Sequence, residues 1–290
     1  MKPIYIYLSL LSVLLLASCS DNENKQTEIS TNNDMRIISL MPSNTEIIAE
    51  LGAAESLAGI TVTDNYPETL DENLARFDTF ALDEETMMAL NPTHIISHES
   101  NHDGNQKIID NVVSNTGAEL LIVDDASQID EIYSTITDIG EFLHKDAEAE
   151  TLNRELRREV TSIQEEYSGQ TPDDKALILI STTPDVYIAG SETFIDSYLE
   201  ILNIDNVFQD VNGYPAVTSE DLIAREPGKV ISTLGIDNKG LTQELNSISG
   251  LEGTPITRPE NQCTPDPDVI SRPGPRFTEG LAAIAECVYE

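Results

Sequence analysis

The stretch between Gly140 and Gly169 constrains the fold of this chain most, because residues 146–168 contain neither glycine nor proline. Apolar residues recur there every three or four positions, which places them on one face of an α-helix. They are Ala149, Leu152, Leu156, Val160, Ile163 and Tyr167. Such a helix spans roughly 35 Å, and on both sides of it short apolar runs alternate with helical patterns. We therefore predict a long helix that joins two α/β lobes; a surface helix of a single domain is the alternative.

The N-terminal segment has the features of an export signal. Lys2 precedes an apolar run at residues 4–16 that is too short to span a bilayer, and the sequence LASC follows at 16–19. Those four residues resemble a bacterial lipobox, so we predict a lipoprotein signal peptide at residues 1–18 and lipidation of Cys19. An ordinary signal peptide that happens to end in cysteine is the alternative. Residues 20–34 are polar and lack aromatic residues, which predicts a flexible tether over residues 19–35.

Acidic residues outnumber basic ones by 52 to 16, which gives a formal net charge of −36. Such a chain repels phosphates, so nucleic acid is excluded as a partner. The acidic residues are spread along the chain, which indicates a solvated acidic surface suited to a saline setting. No second apolar run reaches membrane-spanning length. We expect an exported protein that faces the periplasm or the cell exterior and touches the membrane only through its N-terminal lipid.

The patterns on either side of the long helix predict two Rossmann-like α/β lobes joined by that single helix. The lobes cover residues 36–144 and 170–290, and the connecting helix lies within 145–169. A helix, a proline and an apolar strand follow one another at 83–97 and again at 219–233, which indicates two lobes of similar build. We expect a strand at 36–40, then a helix capped by Ser43 or Asn44. The last strand is predicted at 255–258.

No motif of a familiar enzyme class is present in the sequence. His94, His98 and His102 are spaced four apart, but the apolar pair between the first two favours a strand followed by a loop. Glu99 and Asp103 could join His98 and His102 at the mouth of a cleft and hold a metal ion. An exported metal-dependent enzyme built on the three histidines is therefore an alternative function.

Two cysteines remain once Cys19 is set aside. In an exported protein Cys263 and Cys287 either form a disulfide or persist as two free buried thiols. Neither has the neighbours of a zinc site. The disulfide, if formed, would fasten the last helix to the segment that precedes it.

Seven segments carry a family resemblance: RIISLMPSNTE at 36–46, GITVTDNYP at 59–67, DEETMMALNP at 83–92, IAGSE at 188–192, NVF at 206–208, VTSEDLIAREP at 217–227 and SRPGPR at 271–276. In this order and spacing they resemble the helical-backbone substrate-binding proteins of bacterial cobalamin and iron-chelate ABC importers. The resemblance covers nearly all of the mature chain. It implies two lobes bridged by one long helix, with a small-molecule metal chelate in the cleft. It also implies a monomer without enzymatic activity or a cofactor of its own, which delivers its ligand to a permease and its ATPase.

Within that family the chain is most similar to cobalamin-binding proteins, which implies a set of ligand-binding residues. They are Tyr66, Phe80, His98, Tyr214, Asp268 and Arg272. Aromatic faces supply much of the affinity for a flat macrocycle. The chain departs from the family pattern because it has no tryptophan; His98 and Thr63 stand where cobalamin binders have aromatic residues.

These departures leave the identity of the ligand open between two classes. A corrinoid, which contains cobalt, is the first prediction, and haem or a ferric siderophore is the alternative, since a histidine or tyrosine could ligate haem iron. A strongly anionic chelate is less favoured because the chain has few cations. The resemblance also places one permease-docking carboxylate on each lobe, at Glu85 and Glu220.

Overall fold

The computed structural model describes residues 35–170, 172 and 174–289. The predictions for the signal peptide, for Cys19 and for the tether up to residue 34 lie outside the described residues. Within them, no helix combines the length and the apolar character that a membrane span requires.

The first lobe is built on a five-stranded parallel sheet with the strand order β3-β2-β1-β4-β5. Its strands are β1 Ile37–Ser39, β2 Leu57–Thr61, β3 Ala75–Phe77, β4 His94–His98 and β5 Glu119–Val123. Its helices are α1 Pro42–Glu50, α2 Glu84–Ala89, α3 Glu99–Thr116 and α4 Ile129–Phe142. Isoleucines of β1 and β4 are fully buried, because helices cover both faces of the sheet.

The order of the strands opens a crevice above β1 and β4. These two strands are neighbours, with Ile38 paired to Ile95, yet the chain leaves β1 towards β2 and leaves β4 towards β5. The segments that follow the two strands therefore diverge at the carboxyl edge of the sheet. Open α/β sheets bind their ligands at such a switch point.

The second lobe has a mixed sheet with the order β10-β9-β6-β7-β8. Its strands are β6 Ala176–Ser181, β7 Val186–Ile188, β8 Ala216–Val217, β9 Lys229–Ser232 and β10 Gln262–Cys263. Its helices are α6 Phe194–Leu202, α7 Ser219–Arg225, α8 Asn238–Ser247, α9 Pro267–Ser271 and α10 Phe277–Tyr289. β6, β9 and β10 are parallel, whereas β7 runs antiparallel to both of its neighbours, β6 and β8. Cys263 in β10 and Cys287 in α10 form a disulfide.

The long helix predicted from the sequence forms as α5, Asp146–Glu166. In its first half Asn153 donates a hydrogen bond to the Tyr133 carbonyl in α4 at 2.9 Å. In its second half Gln164 donates to the Ile201 carbonyl in α6 at 3.2 Å. α5 thus attaches to a helix of each lobe.

The lobes also share an apolar cluster. It runs from β1 and α4 in the first lobe to α6 and α10 in the second. The rings of Tyr133 and Phe277 meet edge to face across the junction, with centroids 5.8 Å apart. The lobes are therefore joined by buried apolar contacts.

Three local expectations are wrong. Residues 255–257 form a 3₁₀ turn, and the last strand is Gln262–Cys263, which pairs with Val230 and Ile231. The start of α1 is capped by Met41 in an extended conformation with Pro42 at the first helical position, so Ser43 and Asn44 lie inside the first turn. The segment expected to be a loop after β4 is already helical from Glu99.

Candidate functional site

A cavity of about 570 Å³ lies where the crevice of the first lobe faces the second lobe. The first lobe lines it with Met41, Pro42, Ser43, Thr63, His98, Ser100, Asp125, Ala126 and Ser127. The second lobe lines it with Glu192, Thr193, Phe194, Tyr214, Ser271, Arg272 and Pro273. A neighbouring cavity of about 470 Å³ shares part of this lining and reaches Phe80 and Asn105. We call the two cavities together the cleft.

Of the six ligand-binding positions implied by the resemblance, four line the cleft and two do not. His98, Tyr214 and Arg272 line the larger cavity, and Phe80 lines the smaller one. Tyr66 and Asp268 are not among the described residues that line either cavity. Asp268 pairs with the lining residue Arg272, and the Tyr66 ring lies under Arg276, which does not line either cavity.

Two well-exposed aromatic rings line the cleft, one from each lobe, whereas Phe194 in the same lining is only 4% exposed. Phe80, between β3 and α2, is 98% exposed, and Tyr214, before β8, is 49% exposed. Burial of the rest of the side chain raises the pKa of Tyr214, so its hydroxyl stays protonated at neutral pH. The cleft therefore offers two apolar faces, of which the Tyr214 ring is half-buried in the surrounding protein and the Phe80 ring is almost fully exposed.

His98 is the last residue of β4 and the N-cap of α3. Its Nδ1 lies 2.9 Å from the Ser100 hydroxyl and 3.1 Å from an Asp125 carboxylate oxygen. Burial lowers the pKa of His98 below its ordinary value although Asp125 acts in the opposite direction. The imidazole is therefore neutral at pH 7, and Nε2 is the nitrogen left for a ligand.

Arg272 is held by groups from both lobes. Its guanidinium donates to Glu46 at 3.1 Å, to the Asn65 side chain at 2.8 Å and to the Thr63 carbonyl at 3.2 Å. It also pairs with Asp268 of its own lobe at 3.0 Å, one helical turn away. Asn65 in turn donates to Asp268 at 2.6 Å.

Glu46 is the centre of this network, although it is only 1% exposed. Besides Arg272 it binds Arg276, whose Nε and Nη2 lie 2.9 Å and 2.7 Å from its two oxygens. The Arg276 guanidinium also lies over the Tyr66 ring, 4.1 Å from the centroid. We call Glu46, Arg272, Arg276 and Asp268 the junction cluster; its two guanidinium and two carboxylate charges cancel.

The charge of the cleft follows from its lining. Among the described residues that line the two cavities, Arg272 is the only cation, and Asp125 and Glu192 are carboxylates. Arg272 is already bound by Glu46 and Asp268. The cleft therefore offers little positive charge to an anionic ligand.

The three histidines do not converge on a common point. His94 bonds Thr93 at 2.9 Å and packs its ring on Phe142, and His102 reaches the Ser97 hydroxyl at 3.3 Å. In the part of the chain that the structure describes, no group of three or more histidine, cysteine or acidic side chains is placed to hold a metal ion. The three-histidine site on which the metal-enzyme alternative rests does not form in the described residues, because His94, His98 and His102 each bond a different neighbour.

The two carboxylates implied for docking occupy the same position in corresponding elements. Glu85 is the second residue of α2, after the N-cap Asp83, and Glu220 is the second residue of α7, after the N-cap Thr218. Both are exposed. Each stands where the helix dipole favours a negative charge whether or not a partner is present.

Sequence reasoning missed the roles of Glu46 and Arg276. Both belong to segments that carry the family resemblance, but neither was given a function. A glutamate inside an apolar helical stretch, Ile47 and Ile48 following it, is a signal of a buried charge that needs a partner. The partner itself lies 230 residues away and is visible only in the folded chain.

Comparison with known proteins gives the following matches. A family model described as periplasmic binding protein matches residues 37–259. YvrC of Bacillus subtilis, named an ABC transporter substrate-binding lipoprotein, is 28% identical over 308 residues, which cover 97% of this chain and 95% of that protein. A vitamin B12-binding protein of Yersinia pestis is 23% identical over 199 residues, 68% of each chain.

Solved structures give two further matches. A possible iron-binding (periplasmic solute-binding) protein of Staphylococcus epidermidis has a TM-score of 0.80 and 32% identity, covering 88% of this chain and 98% of that chain. The periplasmic haem-binding protein HutB of Vibrio cholerae has a TM-score of 0.77 and 22% identity, covering 88% and 99%. At the latter identity the likeness concerns the fold alone.

Proposed function

This chain belongs to the periplasmic binding protein family and is a substrate-binding protein of an ABC transporter; from that premise we propose that it binds a corrinoid between lobes 36–144 and 170–290. The observation that carries the choice of ligand is the charge of the cleft. Its one cation, among the described lining residues, is bound by two carboxylates, while Asp125 and Glu192 add negative charge. A neutral or cationic chelate fits such a lining better than an anionic one.

The periphery of a corrin suits the polar groups of the cleft. It carries amide side chains, which both donate and accept hydrogen bonds and have no net charge. Asp125 and Glu192 can accept from amide nitrogens. The starts of α1 and α6 line the same cavity, and N–H groups of a first helical turn that have no intrahelical partner could donate to carbonyl oxygens of the corrin periphery. Haem propionates or a catecholate siderophore would instead bring further carboxylate or phenolate charge to this lining.

The flat faces of the ring would be covered by one aromatic side chain from each lobe. Tyr214 lines the larger cavity from the second lobe, and Phe80 lines the smaller cavity from the first lobe. Stacking on such rings adds to the burial of apolar area. The absence of tryptophan leaves more of the affinity to the polar contacts.

Haem is the second candidate, and one observation favours it. His98 and Tyr214 line the same cavity, and both residue types ligate haem iron. His98 is neutral at pH 7 with Nδ1 held by Ser100 and Asp125, an arrangement that orients Nε2 for a metal. The charge of the cleft is the reason for ranking haem below a corrinoid.

Calorimetry on the protein without its signal peptide distinguishes the two. Cyanocobalamin or dicyanocobinamide should bind with a dissociation constant at or below the micromolar range, on the order of −8 kcal/mol. Tyr214→Ala should weaken binding, whereas Ile223→Ala, which removes an exposed apolar residue outside the cleft, should not. Saturable binding of hemin with a shifted Soret band, and no heat with either corrinoid, would replace the corrinoid by haem.

Delivery requires attachment to the membrane and recognition by the permease. We propose that the chain is anchored by a lipid on Cys19 and docks through Glu85 and Glu220, one carboxylate on each lobe, which transporter arginines would contact. The related protein YvrC is named a lipoprotein, and both glutamates are exposed. Labelled palmitate should be incorporated by the wild-type chain and not by Cys19→Ser; incorporation into both would place the lipid elsewhere.

A further inference from the structure

Glu46 belongs to the first lobe, and its carboxylate forms ion pairs with two arginines of the second lobe. It lies on α1, is 1% exposed, and accepts hydrogen bonds from Arg272 at 3.1 Å and from Arg276 at 2.7 and 2.9 Å. Arg272 lines the cleft. We infer that Glu46 determines the charge selectivity of the cleft, by compensating the arginines that would otherwise attract anionic chelates.

The charges of the junction cluster support this role. With Glu46 present, two guanidinium groups face two carboxylates. Without it, Arg276 loses the only carboxylate with which it forms an ion pair in the described residues, and Arg272 keeps Asp268 alone. The cluster would then carry one net positive charge beside a cavity of about 570 Å³. Because its members are largely buried, that charge would be weakly screened by solvent.

A purely structural role for Glu46 makes a different prediction. Glutamine has nearly the same shape, and its side-chain carbonyl can still accept from a guanidinium. If Glu46 only connected the lobes, Glu46→Gln would retain part of that connection and leave ligand preference unchanged. If its charge matters, the same substitution changes which ligands bind.

This inference deepens the proposed function, since it explains which chelates the same cleft rejects, and it rests on that function for its biological meaning. Its test uses citrate, a small tricarboxylate, alongside dicyanocobinamide. Wild-type protein should show little citrate binding by calorimetry. Glu46→Gln should bind citrate at least about tenfold more tightly, and added sodium chloride should reduce the gain.

Two further variants serve as controls. Glu55→Gln removes one exposed carboxylate outside the cleft and changes the net charge equally, so it should bind citrate as the wild type does. Adding Arg276→Gln to Glu46→Gln restores a neutral cluster and should abolish the gain. An equal gain in Glu55→Gln would make the effect one of overall charge and overturn the inference.

Folding is monitored in the same samples by circular dichroism. If Glu46→Gln does not fold, Asp268→Asn removes the other carboxylate on Arg272, at a more exposed position, and should also gain citrate affinity. The inference is refuted if folded Glu46→Gln binds citrate no more tightly than the wild type does. If only Asp268→Asn folds, the same result in that variant refutes it. Neither result would contradict the proposed binding of a corrinoid. Conversely, a citrate gain in a protein that binds no corrinoid would leave the inference intact and refute the proposed ligand.

Discussion

The sheets of the two lobes have the same arrangement of central strands but differ in their outer strands. In each sheet the first strand of the lobe is central, β1 or β6, and its neighbour is the strand reached through a short helix that ends before a proline, β4 or β9. Outside that pair the first lobe adds parallel strands of three to five residues, whereas the second adds strands of two or three residues, of which β7 runs antiparallel to both of its neighbours. A disulfide holds the last edge strand of the second lobe to α10.

The difference extends to how each lobe lines the cleft. In the first lobe the segments after parallel strands converge on the cleft, so β1 and β4 supply Met41 and His98 directly. In the second lobe the lining residues come from a helix start and from loops, at Thr193, Tyr214 and Arg272. The second lobe therefore depends more on fastening, by the disulfide and by the junction cluster, to hold its binding residues in place.

The largest effect is expected where the lobes share their core. Phe277→Ala removes a fully buried ring of α10 that packs on Tyr133 of the first lobe and should lower the free energy of unfolding by about 3–5 kcal/mol. Urea denaturation should still show one transition, because the shared core couples the lobes. Phe80→Ala, at a 98% exposed site, is the control and should change little. Two separated transitions in the wild type would show that the lobes unfold independently.

Loss of the disulfide should lower local stability mainly in the second lobe. Cys263 and Cys287 are 24 residues apart, and opening a loop of that length by replacing both with serine should cost about 3 kcal/mol in the chain-entropy account. Amide hydrogen exchange should accelerate in β9 and β10 more than in β4 and β5. Equal acceleration in both sheets would contradict the idea that the disulfide compensates for short edge strands. Two alkylatable thiols in the exported protein would show that the bond does not form.

The two cleft aromatics should differ in their contribution to binding. Tyr214 is half-buried and held before β8, whereas Phe80 is almost fully exposed, and ordering a free side chain on binding costs about 0.5–1.5 kcal/mol. Tyr214→Ala should therefore weaken corrinoid binding about tenfold, or 1.4 kcal/mol, and Phe80→Ala by less. Calorimetry on both variants measures the ratio. A larger loss in Phe80→Ala would assign the main stacking surface to the first lobe.

The smallest effects are expected at the two exposed carboxylates proposed for docking. Replacing Glu85 or Glu220 by alanine should leave corrinoid affinity unchanged and weaken association with the permease by at most about 1 kcal/mol each. Charges at a rim act mainly on the association rate, so the defect of the double variant should be greatest at low ionic strength. Glu84→Ala, at the preceding position of α2, is the matched control for the first lobe. Normal uptake by the double variant would show that neither glutamate is needed for docking and that each only stabilises the start of its helix.

Periodicity was enough to predict the long helix and the central strands. The stripe from Ala149 to Tyr167 became α5, and the runs at 36–40 and 94–97 became β1 and β4. The predicted disulfide between Cys263 and Cys287 is present, but the sequence left two free thiols equally open. The short strands β8 and β10 were missed, because two residues carry no periodic signal and their pairing depends on distant partners.

By itself, then, the sequence determined what repeats locally: the α/β alternation, the helix between the lobes, the acidic surface and the segments that resemble a binding-protein family. Only the tertiary structure decided which side chains face the cleft. It placed Tyr66 under Arg276, brought Asp125 to His98, and joined Glu46 to arginines 226 and 230 residues further along the chain. Local periodicity indicates which face of a helix or strand is apolar. Pairing between buried charges depends instead on how the two lobes pack against each other, which no local sequence pattern indicates.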